Sequence, residues 1–537
     1  MTGWTFADIW EAIADTIPDA PALVHDDRRI DWRAVDRRAD GIARTLLDAG
    51  GLEQDKVALY LYNGPEYLEA QFGAFKAGLV PVNTNYRYVE DELVYLWDNA
   101  DAVAVVFHGS FADRIAGIRH RTPRVRTWLW VDDASGPCPD WAIPYEGAAA
   151  SATGRVVAPW GRSPDHLLML YTGGTTGMPK GVMWRQADLV ALLAGAQNEL
   201  YRGPVDLDAV RDTFAAPGPV ALPACPLMHG TGWFSSLAAL CIGGSVVTLP
   251  SRHLDIAELL GTVEREGVNS MAIVGDAFAK PMLAALDAAP GRWDISSLSM
   301  ITSSGVMWSE ETKQGLLGHH AGMLLVDAFS SSEALGMGSS VSGSGGAART
   351  ARFTLGVNAR VIGDDGRDVA PGSGEIGRVA VRGTTPVGYY KDPEKSAATF
   401  LVIEGERYSM PGDYAMVEAD GTLTLLGRGS VCINTGGEKV FPEEVEEALK
   451  THPAVHDAVA VGVPDEKFGE AVTAVVEPRP GAAIDEGELI AHVKARLAAY
   501  KAPKRVIVVD TIGRAPNGKV DYTRLKAHAT ERIGAPG

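Results

Sequence analysis

Residues 171–181 read Tyr-Thr-Gly-Gly-Thr-Thr-Gly-Met-Pro-Lys-Gly, and the rest of the chain is best understood outward from this run. Glycines let a backbone close on polyphosphate oxygens and turn several N–H groups toward them, the hydroxyls of Thr172, Thr175 and Thr176 add donors, and Lys180 adds charge. The pattern describes a grip for the phosphates of ATP, with Thr172, Gly173, Gly174, Thr175, Thr176, Gly177 and Lys180 as candidate residues. It is not a Walker loop, because Met178 and Pro179 separate Gly177 from Lys180 and Gly181 follows where that loop has Ser or Thr. A flexible Gly/Thr linker is the alternative. The apolar residues 167–171 lead straight into the run, as a buried strand feeding a loop does and a linker does not.

Around this run, short apolar stretches at 57–61, 102–107, 127–131, 245–249, 270–274, 299–302 and 324–328 alternate with helical patterns such as 65–77 and 255–266. That alternation predicts α/β layers with mostly buried strands. Between 355 and 426 the texture changes to short strands separated by Gly-rich turns (GDDGRD, PGSGEIG, EADGT), which predicts a β-rich subdomain. A compact α/β tail follows residue 428, its first helix opening at Pro442 with Glu443 and Glu444 in the first turn. The expected fold is thus α/β: a large multi-layer N-terminal domain over 1–428 with a β-rich subdomain at 355–426, and a small mobile α/β C-terminal domain over 429–537. Residues 204–222, rich in Pro, Gly and Asp, read as a surface loop.

Composition bounds the partners. A chain of 537 residues needs more than one core. A net charge of −19 argues against a duplex nucleic-acid surface, whereas gripping ATP needs only local cations. The four cysteines show no CxxC pairing, so neither a zinc site nor a disulfide framework is indicated and a reducing cytoplasm is the natural compartment. At the N-terminus, Trp4, Phe6, Ile9, Trp10, Ile13 and Ile17 recur at helical spacing with acids between them, a packed amphipathic helix rather than a basic targeting signal. No stretch is long and apolar enough to span a bilayer, although peripheral membrane contact stays open.

Six further segments follow in order: 226–233 (PLMHGTGW), 303–305 (SSG), 327–333 (DAFSSSE), 408–413 (YSMPGD), 427–442 (GRGSVCINTGGEKVFP) and 516–520 (PNGKV). Together with the 171–181 run they resemble the adenylate-forming, ATP-dependent AMP-binding superfamily of acyl-CoA synthetases, peptide-synthetase adenylation domains and beetle luciferases. The resemblance implies a two-step reaction: a carboxylate and ATP give acyl-AMP and pyrophosphate, then CoA gives the thioester and AMP. It implies ATP, Mg2+ and CoA as cofactors and a small carboxylic acid as substrate. A homo-oligomer, as a dimer, is expected.

What the resemblance implies for single residues is specific. Glu333 is the carboxylate on the magnesium side and Ser332 bonds a phosphate oxygen. Phe329 lies against adenine, Asp327 and Ala328 flank it with Asp327 accepting from the amino group, and Ser304 and Gly305 line the other side of the base. Asp413 takes the ribose hydroxyls, Arg428 reaches ribose or phosphate, and Lys519 is the mobile catalytic lysine. His229 gates or positions at the mouth of the acyl pocket, Gly436, Gly437 and Glu438 line the CoA tunnel, and Ser430 occupies the hinge. Taken alone, Glu333 could be a loop carboxylate, Asp413 a turn former, Lys519 a solvated turn lysine and His229 structural.

Two departures stand out. Ser430 replaces the usual hinge acid or lysine, and Ala328-Phe329-Ser330 replaces Gly-Tyr-Gly. These, with RYVEDEL and PVGYYKD, resemble an actinobacterial branch of acyl-CoA synthetases that includes steroid side-chain ligases. Large apolar residues at 228, 233, 234 and 278 suggest a hydrophobic acid, leaving a long-chain fatty acid and a steroid side-chain acid both open. The alternatives are a stand-alone enzyme adenylating an amino acid or loading a carrier protein, and a non-catalytic nucleotide- or acyl-binding regulator.

Overall fold

The apolar runs become strands because both of their faces find cover. Val57 and Leu59 point into one buried cluster and Ala58 and Tyr60 into another. Leu23, Ala221 and Val246 divide in the same way from Val24, Leu222 and Val247. A period of two places alternate side chains on opposite faces, so a strand apolar at every position must lie between layers. The computed structural model describes residues 3–172, 178–195, 198–306, 308–435, 438–465, 469–497, 499–515 and 518–534, and these form an α/β molecule with three sheets.

The first sheet has 15 strands. Pro21–His25, Ser245–Thr248, Val220–Pro223, Ser270–Ile273, Met300–Ser303 and Leu324–Ser331 are neighbours in that order and parallel. From Leu324–Ser331 the sheet turns antiparallel through Ala334–Ser342, Arg352–Leu355, Leu423–Arg428, Asp413–Val417 and Ile376–Arg382. The β-rich stretch is therefore continuous with the large sheet. It also departs from all-β, since it contains the helix Pro393–Thr399, and Gly388–Tyr389 pairs into the second sheet.

The second sheet has 8 strands, with Val80–Asn83, Lys56–Tyr60, Ala102–His108 and Thr127–Val131 parallel beside Leu167–Thr172. Between the two sheets lie the helices Phe6–Thr16, Trp32–Asp48, Pro65–Lys76 and Gly230–Cys241. Thr5 and Asp8 cap the first of these reciprocally, which explains where it starts. Lys76, wholly buried, pairs with Glu11, Asp36 and Asp40 and ties three of the helices together. Removing one partner of such a buried pair typically costs about 3–5 kcal/mol.

Residues 204–222 are not a loop. Asp206 caps a helix Leu207–Thr213, whose Val210 and the following Phe214 are buried four residues apart, and Val220–Pro223 is a central parallel strand. One buried residue in a short helix and one just after it leave too few apolar positions for a visible period. The third sheet joins Glu438–Val440, Ile433–Thr435, Gly469–Pro478, Val455–Asp465 and Arg505–Val508. The helix Pro442–Lys450 packs on it, and Phe441 meets Tyr414 of the large sheet at 5.4 Å between ring centroids.

Candidate active site

Parallel strands leave a crevice beyond their carboxyl ends, and here two sheets present such ends to each other. In the second sheet, Leu167–Thr172 turns into the antiparallel partner Lys180–Arg185 with Thr172 opposite Lys180. The intervening Gly173, Gly174, Thr175, Thr176 and Gly177 lie outside the described residues. The Lys180 ammonium pairs with Asp392 and stands 5.9 Å from the centroid of the Tyr389 ring.

Asn83 holds the hairpin to the facing segment. Its amide donates to the carbonyls of Tyr171 (2.9 Å) and Met228 (2.7 Å), and its oxygen accepts from the Tyr171 N–H. The helix Gly230–Cys241 then starts close to Leu170: a Cβ on Gly230 would lie 3.2 Å from Leu170 Cδ2 and 4.0 Å from Ser332 Oγ. Ser332 accepts from Trp184 Nε1 through its carbonyl, so the 332–333 turn rests on the phosphate hairpin.

Glu333 is 8% exposed. One of its carboxylate oxygens accepts from the Tyr389 hydroxyl at 2.9 Å, and its carbonyl accepts from Ser409 Oγ. A carboxylate held this way next to the Lys180–Arg185 strand has the chemistry to hold a magnesium ion, which prefers carboxylate oxygens and keeps waters. Among the described residues no three His, Cys, Asp or Glu side chains gather into a closed metal cage.

On the other side, Met300–Ser303 ends with Ser303 in register with Asp327, and Leu324–Ser331 runs on for four residues beyond it. Ser303 Oγ accepts from Gly275 N–H, the Ser304 carbonyl accepts from Thr231 Oγ1, and Gly305 adopts φ +98°, a left-handed value that suits glycine. Asp327 is 5% exposed, and burial pushes its carboxyl up to about 7 against the opposing pull of Lys313. Ala328 alternates to the opposite face, while Phe329 packs against Phe353 with centroids 5.4 Å apart. Asp413 is buried at the start of its strand, opposite Arg428. Arg428 and Ser430 are described by backbone alone, the latter within the 3-10 turn Gly429–Val431.

The C-terminal lysine reaches this crevice from the third sheet's side. A turn closed by Gly518 N–H to the Ala515 carbonyl and Ala515 N–H to the Lys519 carbonyl presents it. A Cβ on Gly518 would stand 3.2 Å from Ala277 Cβ and 3.1 Å from Val306 Cγ2, so the turn is docked on the start of the helix Asp276–Ala288 and on the loop that carries Ser304 and Gly305. His229 precedes the helix Gly230–Cys241; burial, then the charges of Lys519 and Arg87, push its imidazole down to about 3. It is therefore neutral at physiological pH and suited to positioning rather than to accepting a proton.

Residues 10–390 match the AMP-binding enzyme family and residues 444–519 match the AMP-binding enzyme C-terminal domain. The chain belongs to the AMP-binding enzyme family. A medium/long-chain-fatty-acid–CoA/3-oxocholest-4-en-26-oate–CoA ligase of Mycolicibacterium smegmatis is 41% identical over 538 residues, covering 98% of this chain and 96% of the relative. A 3-oxocholest-4-en-26-oate–CoA ligase of Rhodococcus rhodochrous is 41% identical over 535 residues, covering 97% and 95%. Among solved structures, ATP-bound MatB from Rhodopseudomonas palustris superposes with a TM-score of 0.80 at 25% identity, covering 98% of this chain and 99% of that one.

Within this AMP-binding enzyme, Tyr389 links Lys180 to Glu333, His229 feels the charge of Lys519, and the Lys519 turn meets Val306 next to Gly305. Gly436 and Gly437 lie outside the described residues, and Glu438 is described by backbone only. The apolar residues named from sequence separate: Trp233 and Phe234 belong to the cluster between the sheets, with Trp233 Nε1 donating to Gln71, while Phe278 belongs to the cluster behind Ser270–Ile273. Tyr389, Asp392 and Arg87 were not singled out from sequence. The segments PVGYYKD and RYVEDEL contain them, but only the fold shows what each side chain meets.

Proposed function

We propose that this enzyme is an AMP-forming acyl-CoA ligase acting on a hydrophobic carboxylic acid, with residues 1–428 and 429–537 as its two domains. The observation that supports the reading is the docking of the Lys519 turn against Val306, next to the Ser304–Gly305 loop, with the charge of Lys519 felt at His229. A carboxylate resists thiol attack because oxide leaves poorly; adenylation gives it a leaving group. In the first step the substrate carboxylate attacks the α-phosphorus and pyrophosphate departs. Lys519 stabilises the charge gathering on the α-phosphate, Lys180 and the threonines of the hairpin loop hold the departing phosphates, and Asp413 holds the ribose. Glu333, steadied by Tyr389, would hold a magnesium ion that offsets phosphate charge. His229, kept neutral, orients the carboxylate.

In the second step the CoA thiol attacks the acyl carbonyl and AMP leaves. The names of the two relatives support both fatty acids and 3-oxocholest-4-en-26-oate as substrates. The test is to supply ATP, Mg2+ and CoA with medium- and long-chain fatty acids, 3-oxocholest-4-en-26-oate and an amino-acid panel. AMP and thioester formed in equal amounts from the hydrophobic acids are expected; turnover confined to amino acids, or none at all, would overturn the proposal.

A further inference from the structure

Arg514 stands at the base of the Lys519 turn and is tied on two sides. Its Nε (2.6 Å) and Nη2 (2.9 Å) donate to the two carboxylate oxygens of Asp457, and its Nη1 donates to the Gly518 carbonyl at 3.1 Å. Asp457 is itself fixed, since it lies on the strand Val455–Asp465 and its Oδ1 accepts from the Ala458 N–H at 2.8 Å. The planar fork of an arginine fills both oxygens of a carboxylate and keeps a further N–H in a set direction. One rigid group thus joins the third sheet to the carbonyl immediately before Lys519.

That carbonyl matters because of the residue that carries it. Gly518 adopts φ +72°, and the lack of a Cβ leaves its backbone a wide range of rotation. The peptide plane that follows it contains the Lys519 nitrogen and leads to the Lys519 Cα, so rotation of that plane re-aims the lysine side chain. The hydrogen bonds that close the turn, from Gly518 N–H to the Ala515 carbonyl (2.7 Å) and from Ala515 N–H to the Lys519 carbonyl (2.9 Å), use other groups. The Gly518 carbonyl is held by Arg514.

We infer that Arg514 is a positioning residue for Lys519: anchored on Asp457, it fixes the Gly518–Lys519 peptide plane and with it the direction in which the ammonium is presented. The inference rests on Lys519 as the lysine of the adenylation step. Lysine at 514 would keep a charge beside Asp457, but its single nitrogen cannot serve both carboxylate oxygens and the carbonyl in the geometry of the fork.

The experiment measures two single-turnover rates, acyl-AMP formed from ATP and the hydrophobic acid turned over fastest, and acyl-CoA formed from supplied acyl-AMP. The enzymes are wild type, Arg514→Lys, Lys519→Ala and the double variant. Arg514→Lys is expected to slow acyl-AMP formation by about tenfold to a hundredfold, the cost of a misaimed group, and to leave acyl-CoA formation near the wild-type rate. In the Lys519→Ala background the same substitution should have no further effect, because no ammonium is left to aim. Asp457→Asn replaces one acceptor oxygen by a donor and should give the same selective loss in smaller measure; it carries the test alone where Arg514→Lys fails to fold. Equal slowing of both half-reactions, or slowing of adenylation by the same factor with and without Lys519, would make Arg514 a structural residue and overturn the inference, as would wild-type rates in Arg514→Lys and Asp457→Asn. Acyl-AMP formed at the wild-type rate by Lys519→Ala would instead overturn the reading of Lys519, and the inference with it.

Discussion

A single cation about 4 Å from charge developing on phosphate, at an effective dielectric near 20, contributes roughly 4 kcal/mol, a factor on the order of a thousand in rate. Lys519 is proposed for that role. Lys519→Ala should cut acyl-AMP formation by about that factor while supplied acyl-AMP is still converted to acyl-CoA; equal losses in both half-reactions, followed separately, would remove the residue from adenylation. His229 makes a different prediction. Unfolded, its imidazole binds a proton near 6.5; folded, only near 3. Between those values the unfolded chain holds more protons, so stability falls as pH falls, by about 2 kcal/mol at pH 5 from this group alone. Urea midpoints of His229→Gln should therefore drop less from pH 7 to pH 5 than those of wild type. Identical acid sensitivity would mean that the imidazole is not held neutral. Candidates such as Lys519, Glu333 and His229 stand out in the sequence because each sits in a recognisable segment. Tyr389 and Asp392 do not, since they meet Glu333 and Lys180 across 56 and 212 residues of chain, and nothing local marks those pairings.

At the scale of elements, strands buried on both faces were the easiest to read. The run at 127–131 became the strand Thr127–Val131 and that at 102–107 the strand Ala102–His108. The segment 204–222 was misread because its helix buries one side chain, Val210, with Phe214 just after it, and its strand is four residues long. The continuity of the β-rich stretch with the large sheet was also invisible, because Arg352–Leu355 pairs with Leu423–Arg428 across the whole subdomain. The short turn Gly429–Val431 joins the last strand of that sheet to the third sheet, and it carries Ser430. Proline at 430 would fix φ near −65° and restrict Gly429 before it. Ser430→Pro is expected to keep pyrophosphate release and lose most acyl-CoA formation. Wild-type rates in both would place the pivot elsewhere.

At the scale of the molecule, the arrangement has one crevice and two jobs for the unit beyond residue 429. Lys519 is proposed to serve adenylation and residues 436–438, in the same unit, to line the CoA path, and one orientation does not present both. Such a change is absorbed by a few dihedrals at an element boundary. The docking contact itself allows the most direct test. A Cβ on Gly518 would lie 3.2 Å from Ala277 Cβ, close to the separation a disulfide needs, although cysteine at φ +72° carries a cost of about 1–2 kcal/mol. In the doubly substituted Ala277→Cys, Gly518→Cys enzyme, pyrophosphate and acyl-CoA are measured in single turnover before and after reduction. The account predicts that the oxidised enzyme releases pyrophosphate and makes no acyl-CoA until reductant is added. Acyl-CoA formed by the oxidised, cross-linked enzyme at the rate of the reduced one would contradict it.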